Sequence, residues 1–327
     1  MDELKRVLVT GGGGFLGGHL CERLLDDGVE VICLDNLSTS APSAVNLLRG
    51  RSGYRFIRHD ISEPLAGGHT DVDTVFHLAS PASPADYMRL PVQTLRTGAL
   101  GTANALDIAE RCGARMVLAS TSEVYGDPLQ HPQAETYWGN VNPVGPRSVY
   151  DEAKRFAEAL TFAYRRVRSA DVGVARIFNT YGPRMRADDG RMVPAFCTQA
   201  LAGEPITVTG TGQQTRSLCY VDDTVDALIA LALSDCAGPV NIGNPTELSV
   251  LHIAELIRHL AGSESPIHYL PGAEDDPQRR CPDITLARER LGWRPLVSYQ
   301  AGLAATVEWF RSQLRDRTTT SDVLQGS

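Results

Sequence analysis

Residues 9–20 read VTGGGGFLGGHL, and the fold turns on how this stretch is read. It follows the apolar run RVLVT (6–10) and leads into a helical pattern, so it reads as the turn between a first strand and a first helix. The pattern is T-G-x-x-G-x-x-G, with Gly11, Gly14 and Gly17 at the fixed positions. Glycine there lets the backbone turn tightly and brings its amides close to a pyrophosphate at the helix N-terminus. A glycine-rich turn that binds nothing has the same letters, so the setting must decide.

Further apolar runs follow: EVICLDN (30–36), YRFIRHD (54–60), TVFHLAS (74–80), RMVLAS (115–120) and DVGVARIFN (171–179). The first five runs, RVLVT included, are separated by stretches long enough for a helical crossover, which predicts an α/β fold with a doubly wound parallel sheet of Rossmann type. The second run ends in Asp35, eighteen residues after Gly17. A carboxylate there accepts hydrogen bonds from both ribose hydroxyls and repels a 2′-phosphate, so NAD is expected over NADP. The following NLSTSAPSAVN contains no arginine that would receive such a phosphate. Asp60 and Ile61, at the end of the third run, are placed along the adenine side.

After residue 180 the alternation loosens, with GPRMRADDGR and GTGQQTR reading as loops. YVDDTVDALIALAL reads as a turn entering an apolar helix, and LHIAELIRHLAG as an amphipathic helix ending on Gly262. The expected partition is an NAD-binding domain over 1–179 plus 217–242, a nucleotide-sugar-binding domain over 180–216 plus 243–312, and a flexible polar tail over 313–327.

Bulk properties narrow the function. The chain has 327 residues, 43% apolar and 21% charged, with a formal net charge of −8. That balance disfavours a nucleic-acid partner. No apolar run is long enough to span a bilayer, and Met1-Asp2-Glu3-Leu4-Lys5-Arg6 lacks a signal peptide's layout. Seven cysteines without CxxC spacing and eight histidines without HExxH spacing predict free thiols, a cytoplasmic location and no metal.

Chemistry enters with SVYDEAKRFAEAL, where Tyr150 and Lys154 stand four apart on a helical pattern and share one face. An adjacent ammonium and an oxidised nicotinamide are expected to lower the phenol's pKa. The phenolate could then take a proton from a sugar hydroxyl as hydride leaves the carbon. Thr121, at the end of the fifth run, supplies a hydroxyl for the proton path. YxxxK is common by chance; its value lies in following the glycine turn, Asp35 and the strand-end Thr121-Ser122 in that order.

With TGGGGFLG, HLAS, TSEVYG, YDEAK, NTYGP, YVDD and LGWRP, the chain resembles the extended short-chain dehydrogenase/reductases that act on nucleotide sugars, over nearly its whole length. Within them, TSEVYGDPLQHPQAETYWGNVNPVGPRSVYDEAKR is similar to the UDP-glucuronate decarboxylases almost throughout. ARIFNTYGPRM, QTRSLCYVDD, NIGNP and DDPQRRCPDI extend that likeness. The resemblance implies catalytic roles for Thr121, Glu123, Tyr150 and Lys154. It adds Phe15, Leu16, Asn36, Leu78 and Ala79 to the cofactor set. It implies substrate contacts at Tyr87, Ser122, Asn179, Arg184, Arg191, Arg216 and Arg280, and arginine forks suit the diphosphate and carboxylate of a UDP-sugar acid. Relatives of this kind are homodimers with a four-helix interface, for which 97–112 and the Tyr150 helix are the candidates. Two departures stand out: no basic residues follow Asp35, and Cys281 sits where relatives often carry a longer polar or basic side chain.

The expected reaction is decarboxylation of UDP-glucuronate to UDP-xylose, by C4 oxidation, loss of carbon dioxide and re-reduction. A 4,6-dehydratase carries TDEVYG, and here Ser122 stands in place of that aspartate. A 4-epimerase, including one acting on UDP-glucuronate, typically has a small hydroxyl residue in place of Glu123. A non-catalytic NAD-sensing protein would not need Tyr150 and Lys154. For Glu123 the sequence leaves two roles open: orienting the water that protonates C5, or disfavouring the substrate carboxylate's charged ground state. The plain alternative is a carboxylate satisfied by backbone amides.

Overall fold

In the computed structural model, which describes residues 4–65, 71–272 and 277–325, each of the apolar runs contains a strand. They are β1 (Arg6–Thr10), β2 (Glu30–Asp35), β3 (Tyr54–Arg58), β4 (Thr74–His77), β5 (Arg115–Thr121) and β6 (Val172–Ile177). A further strand, β7 (Val240–Ile242), pairs with β6. The seven-stranded sheet runs β3-β2-β1-β4-β5-β6-β7, parallel throughout. The winding reverses between β1 and β4, and in such sheets the ligand crevice lies outside the carboxyl ends at that point.

Strands covered on both faces must be apolar along their length. β5 is buried at every residue, and Val7, Leu8 and Val9 of β1 are fully buried. One apolar cluster gathers Leu20, Leu24 and Leu228 on one face, and another gathers Leu106, Ile108 and Met116 on the other. A third gathers Phe196, Ile206, Ile253, Leu303 and Phe310. It is built by the helices Met192–Ala202, Val250–Ala261 and Tyr299–Gln325 with the paired strands Ile206–Thr209 and Ile267–Leu270.

The Val221–Ala232 helix packs on the Phe15–Asp26 helix in the sheet's outer layer. The Val250–Ala261 helix ends on Gly262 in the left-handed conformation, as its sequence indicates. The last helix reaches Gln325, so positions 313–325 carry helical backbone. Met1, Asp2, Glu3, residues 326–327, and Asp275 and Asp276 of DDPQRRCPDI lie outside the described residues.

Residues 97–112 contain a π-helical turn, Thr97–Gly101, leading into the helix Thr102–Cys112. A Cβ on Gly98 would stand 2.7 Å from that of Ala153. This segment therefore lies directly on the Ser148–Arg168 helix that carries Tyr150 and Lys154.

Candidate active site

The glycine turn is shaped by close backbone approach. Gly11 has φ 72, and a Cβ there would meet the Ala79 nitrogen at 2.7 Å. At Gly17 it would come within 2.2 Å of the Gly11 carbonyl. The Phe15–Asp26 helix starts at Gly14 with no side-chain cap and no acidic residue in its first turn. Its first amides are thus left for an anion. Asp35 accepts from the Gly13 N–H at 2.9 Å and the Leu37 N–H at 2.7 Å, which fixes its carboxylate beside the turn. Burial raises its pKa, and those two bonds oppose the rise. Asn36 donates to Asp60 at 3.0 Å, joining the ends of β2 and β3. These groups line a cleft of about 2370 Å³ together with Phe15, Leu16, Ile61, Leu78 and Ala79. A cradle that no side chain could share, free amides and an oriented carboxylate suit a dinucleotide with an unphosphorylated ribose.

Tyr150 and Lys154 lie one turn apart, both buried. The Lys154 ammonium donates to the Ala119 carbonyl at 2.8 Å and stands 5.9 Å from the Tyr150 ring centre. Burial pushes its pKa down to about 8, against the pull of Glu158 one turn further on. Tyr150 stacks on Tyr87, with ring centres 5.4 Å apart and planes 7° from parallel. Its phenol corrects the sequence-based expectation. Burial first, then the Glu123 charge, raise its pKa well above the ordinary value, while Arg191 and a hydrogen bond with Thr121 only partly offset them. The chain's own groups do not produce the lowering.

β5 delivers Thr121 to the cleft, and a 3₁₀ turn, Ser122–Tyr125, follows at once. The Thr121 hydroxyl accepts the Glu123 N–H at 3.2 Å and caps that turn. The Glu123 side chain is not satisfied by backbone amides. Arg280 grips it with two bonds, 2.8 and 2.9 Å, and Arg147 adds a third at 2.8 Å. Burial alone would raise its pKa, but Arg280 and Arg147 outweigh burial and hold the carboxyl down at about 2. Asp151 is buried with Oδ1 unpartnered; burial, then the Glu123 charge, push its pKa up to about 7.

The substrate side is polar and partly committed. Asn179, just past β6, lines the cleft with a buried and unpartnered Oδ1. Arg191 stands at the start of the Met192–Ala202 helix, its N–H bonded to Asp189 at 2.8 Å. Arg216 is buried and donates to the Thr215 and Pro277 carbonyls, both at 2.8 Å. Arg184 pairs with Glu22 at 2.5 Å. The cleft brings together every expected site residue except Tyr87, which lies behind Tyr150.

Residues 7–243 match the model of the NAD dependent epimerase/dehydratase family. The chain belongs to this family. It is 52% identical over 312 residues to UDP-glucuronic acid decarboxylase 1 of Xenopus tropicalis, covering 95% of this chain and 73% of that protein. It is 50% identical over 310 residues to UDP-glucuronic acid decarboxylase 5 of Arabidopsis thaliana, covering 94% and 90%. Its fold is similar to that of the UDP-glucuronic acid 4-epimerase from Bacillus cereus in complex with UDP-glucuronic acid and NAD, with a TM-score of 0.83 and 27% identity over 94% of this chain and 99% of that one.

As a member of an NAD-dependent family, the chain uses NAD, and Gly11 to Asp35 supply the cradle described above. Two residues of this site escape a reading of the sequence. Arg147 sits three positions before Tyr150 in GPRSVYDEAKR, and nothing in that stretch directs it to Glu123, 24 residues away. Asp151 follows Tyr150 on the helix and reads as an ordinary first-turn acid. Only its burial beside Glu123 sets it apart.

Proposed function

We propose that the chain decarboxylates UDP-glucuronate to UDP-xylose, with Thr121, Glu123, Tyr150 and Lys154 as its catalytic residues. The observation that carries this is the ionised Glu123, gripped by Arg280 and Arg147 where β5 meets the cleft. Two guanidiniums gathered around one carboxylate at the cleft wall suit a sugar acid better than a neutral sugar. Sequence similarity to decarboxylases along most of the chain supports the same reading.

Bound NAD would supply the hydride acceptor and donor for C4, and its nicotinamide charge would supply the lowering of the Tyr150 phenol that the chain itself does not. Tyr150, hydrogen-bonded to Thr121, takes the proton of the C4 hydroxyl. The resulting 4-keto uronate is a β-keto acid. Loss of carbon dioxide leaves an enolate whose charge sits on the C4 oxygen, and protonated Tyr150 and Thr121 hydrogen-bond that oxygen. Glu123, held ionised, has no proton to give; its part is to orient the water that protonates C5. Asn179, Arg184, Arg191, Arg216 and Arg280 hold the nucleotide sugar, with Ser122 at the sugar itself, and Tyr87 supports the Tyr150 ring from behind.

Residues 1–179 plus 217–242 form the NAD-binding part, and 180–216 plus 243–312 the nucleotide-sugar-binding part; the third apolar cluster supports the division, although Ile284, Ala287 and Trp293 pack in the first cluster on the sheet. The working form is a homodimer paired through the 97–112 segment and the Tyr150 helix. All seven cysteines are free thiols, which supports a cytoplasmic location. Among the described residues no helix is long and apolar enough to cross a membrane.

The test is to incubate the protein with UDP-glucuronate and NAD and follow carbon dioxide, NADH and the sugar by NMR. Carbon dioxide with UDP-xylose is the expected result. A UDP-hexuronic acid product without carbon dioxide makes it an epimerase and sinks the proposal.

A further inference from the structure

Cys281 follows Arg280, and its thiol meets two side chains from distant parts of the sequence. His131 Nε2 stands 3.1 Å from a Glu247 carboxylate oxygen. A ring nitrogen of His131, a carboxylate oxygen of Glu247 and the Cys281 sulfur all lie within 4.8 Å of one another. We propose that His131, Glu247 and Cys281 form a binding site for a divalent transition-metal ion, zinc being the one this donor set suits best. Imidazole, carboxylate and thiolate are zinc's protein ligands, whereas magnesium and calcium take oxygen alone. Tetrahedral zinc with bonds of about 2.0–2.3 Å places its ligand atoms roughly 3.3–3.8 Å apart. The three donors therefore need to close by about 1.5 Å at most, and the exposed His131 side leaves a fourth position for water.

The frame around the donors is built from buried bonds. Gln133, two residues after His131, is fully buried and donates its N–H to the Cys281 carbonyl at 2.8 Å. Its side-chain oxygen accepts the Cys281 N–H at 2.8 Å, and its carbonyl accepts the Asp283 N–H at 2.9 Å. The segments carrying the imidazole and the thiol are thus stitched together on both sides of the sulfur. Glu247 opens a strand paired antiparallel with Thr215–Ser217, and the Thr215 hydroxyl donates to Glu247 Oε1. That leaves Oε2 turned to His131.

A second observation points the same way. Ser217, directly across from Glu247 in that pairing, is fully buried, and its hydroxyl has no hydrogen-bond partner. It lies beside the Cys281 thiol. A metal-bound thiolate is stabilised by such an outer donor. The absence of CxxC or HExxH spacing does not bear on this site, because its ligands come from three separate segments. Arg280 is the neighbour of Cys281 and holds Glu123, so an ion here fixes the turn that carries the Glu123 clamp.

The test uses the NAD-loaded, reduced and chelator-treated protein titrated with cobalt(II). One equivalent per chain is expected to produce a thiolate-to-cobalt charge-transfer band and the strong visible absorption of a four-coordinate ion, both displaced by zinc. Cys281→Ser removes the charge-transfer band, and His131→Ala, at an exposed position, weakens binding tenfold or more. Cys112→Ser, a thiol outside the site, leaves the titration unchanged. Retained UDP binding in each variant shows that it is folded. No band at one equivalent in the wild-type chain overturns the proposal, and so does a band that survives in Cys281→Ser. Neither outcome depends on which reaction the enzyme catalyses.

Discussion

At Glu123 three charges share a buried site, and each partner limits what the others can do. Arg280 and Arg147 keep the carboxylate ionised, and the carboxylate in turn holds both guanidiniums at the cleft wall. Glu123→Gln removes the charge but keeps the shape, so Arg280 loses its two-pronged partner. We expect kcat to fall by about a hundredfold or more while UDP still binds, read by steady-state kinetics beside calorimetry; unchanged turnover would leave Glu123 without a chemical role. Asp151 gives a different signature. Between its ordinary value of 3.8 and about 7, the folded chain holds a proton that the unfolded chain has released. Stability from this group is therefore complete below the lower value and lost as pH rises through the upper one, by a few kcal/mol at most. In Asp151→Asn that fall is absent, so unfolding midpoints measured at pH 4, 5.5 and 7.5 should show the variant gaining steadily on the wild type. Tyr150 and Lys154 are legible in the sequence because four-residue spacing fixes a shared helix face. The Glu123 clamp is not, because its partners lie 24 and 157 residues away and only the fold brings them together.

The elements that place this site are the ones whose sequence pattern has a physical period. β1 to β6 are runs of buried apolar residues, and the glycine turn has a spacing that few backbones share. β7 has three residues, too few for any pattern, and only its pairing with β6 makes it a strand. The Met192–Ala202 helix is apolar around much of its surface, so it shows no one-sided stripe to read. Gly17 tests the turn. An added methyl would sit 2.2 Å from the Gly11 carbonyl, a backbone atom that cannot swing aside. Gly17→Ala is expected to cost about 1–3 kcal/mol of stability and to release NAD, seen as a lowered unfolding midpoint and loss of nucleotide absorbance from the purified protein. Retention of both would mean that the first helix can shift without harm to the cradle.

On the scale of the whole molecule, the surface that remains to be explained is apolar and close to the catalytic helix. Val92, Leu95 and Leu100 are exposed along the Pro91–Arg96 helix and the π turn that continues it, and Phe156 is exposed on the Ser148–Arg168 helix packed against them. A π turn carries one more residue per turn than an α-helix, so Leu100, five after Leu95, stays on the same face. Large apolar side chains gathered on two adjacent helices are a surface the proposed homodimer would cover, each copy using the same residues across a two-fold axis. Gly98 and Ala153 lie at the buried contact beneath, so the pairing bears on the helix that holds Tyr150 and Lys154. Sedimentation velocity at micromolar concentration should give a dimer. Leu100→Glu with Phe156→Glu places four like charges in the two-fold interface and should give a folded monomer with lower kcat, because the Tyr150 helix loses its outer support. A dimer that survives both charges would place the interface elsewhere, and a monomer with full activity would show that each chain's site is held by its own packing alone.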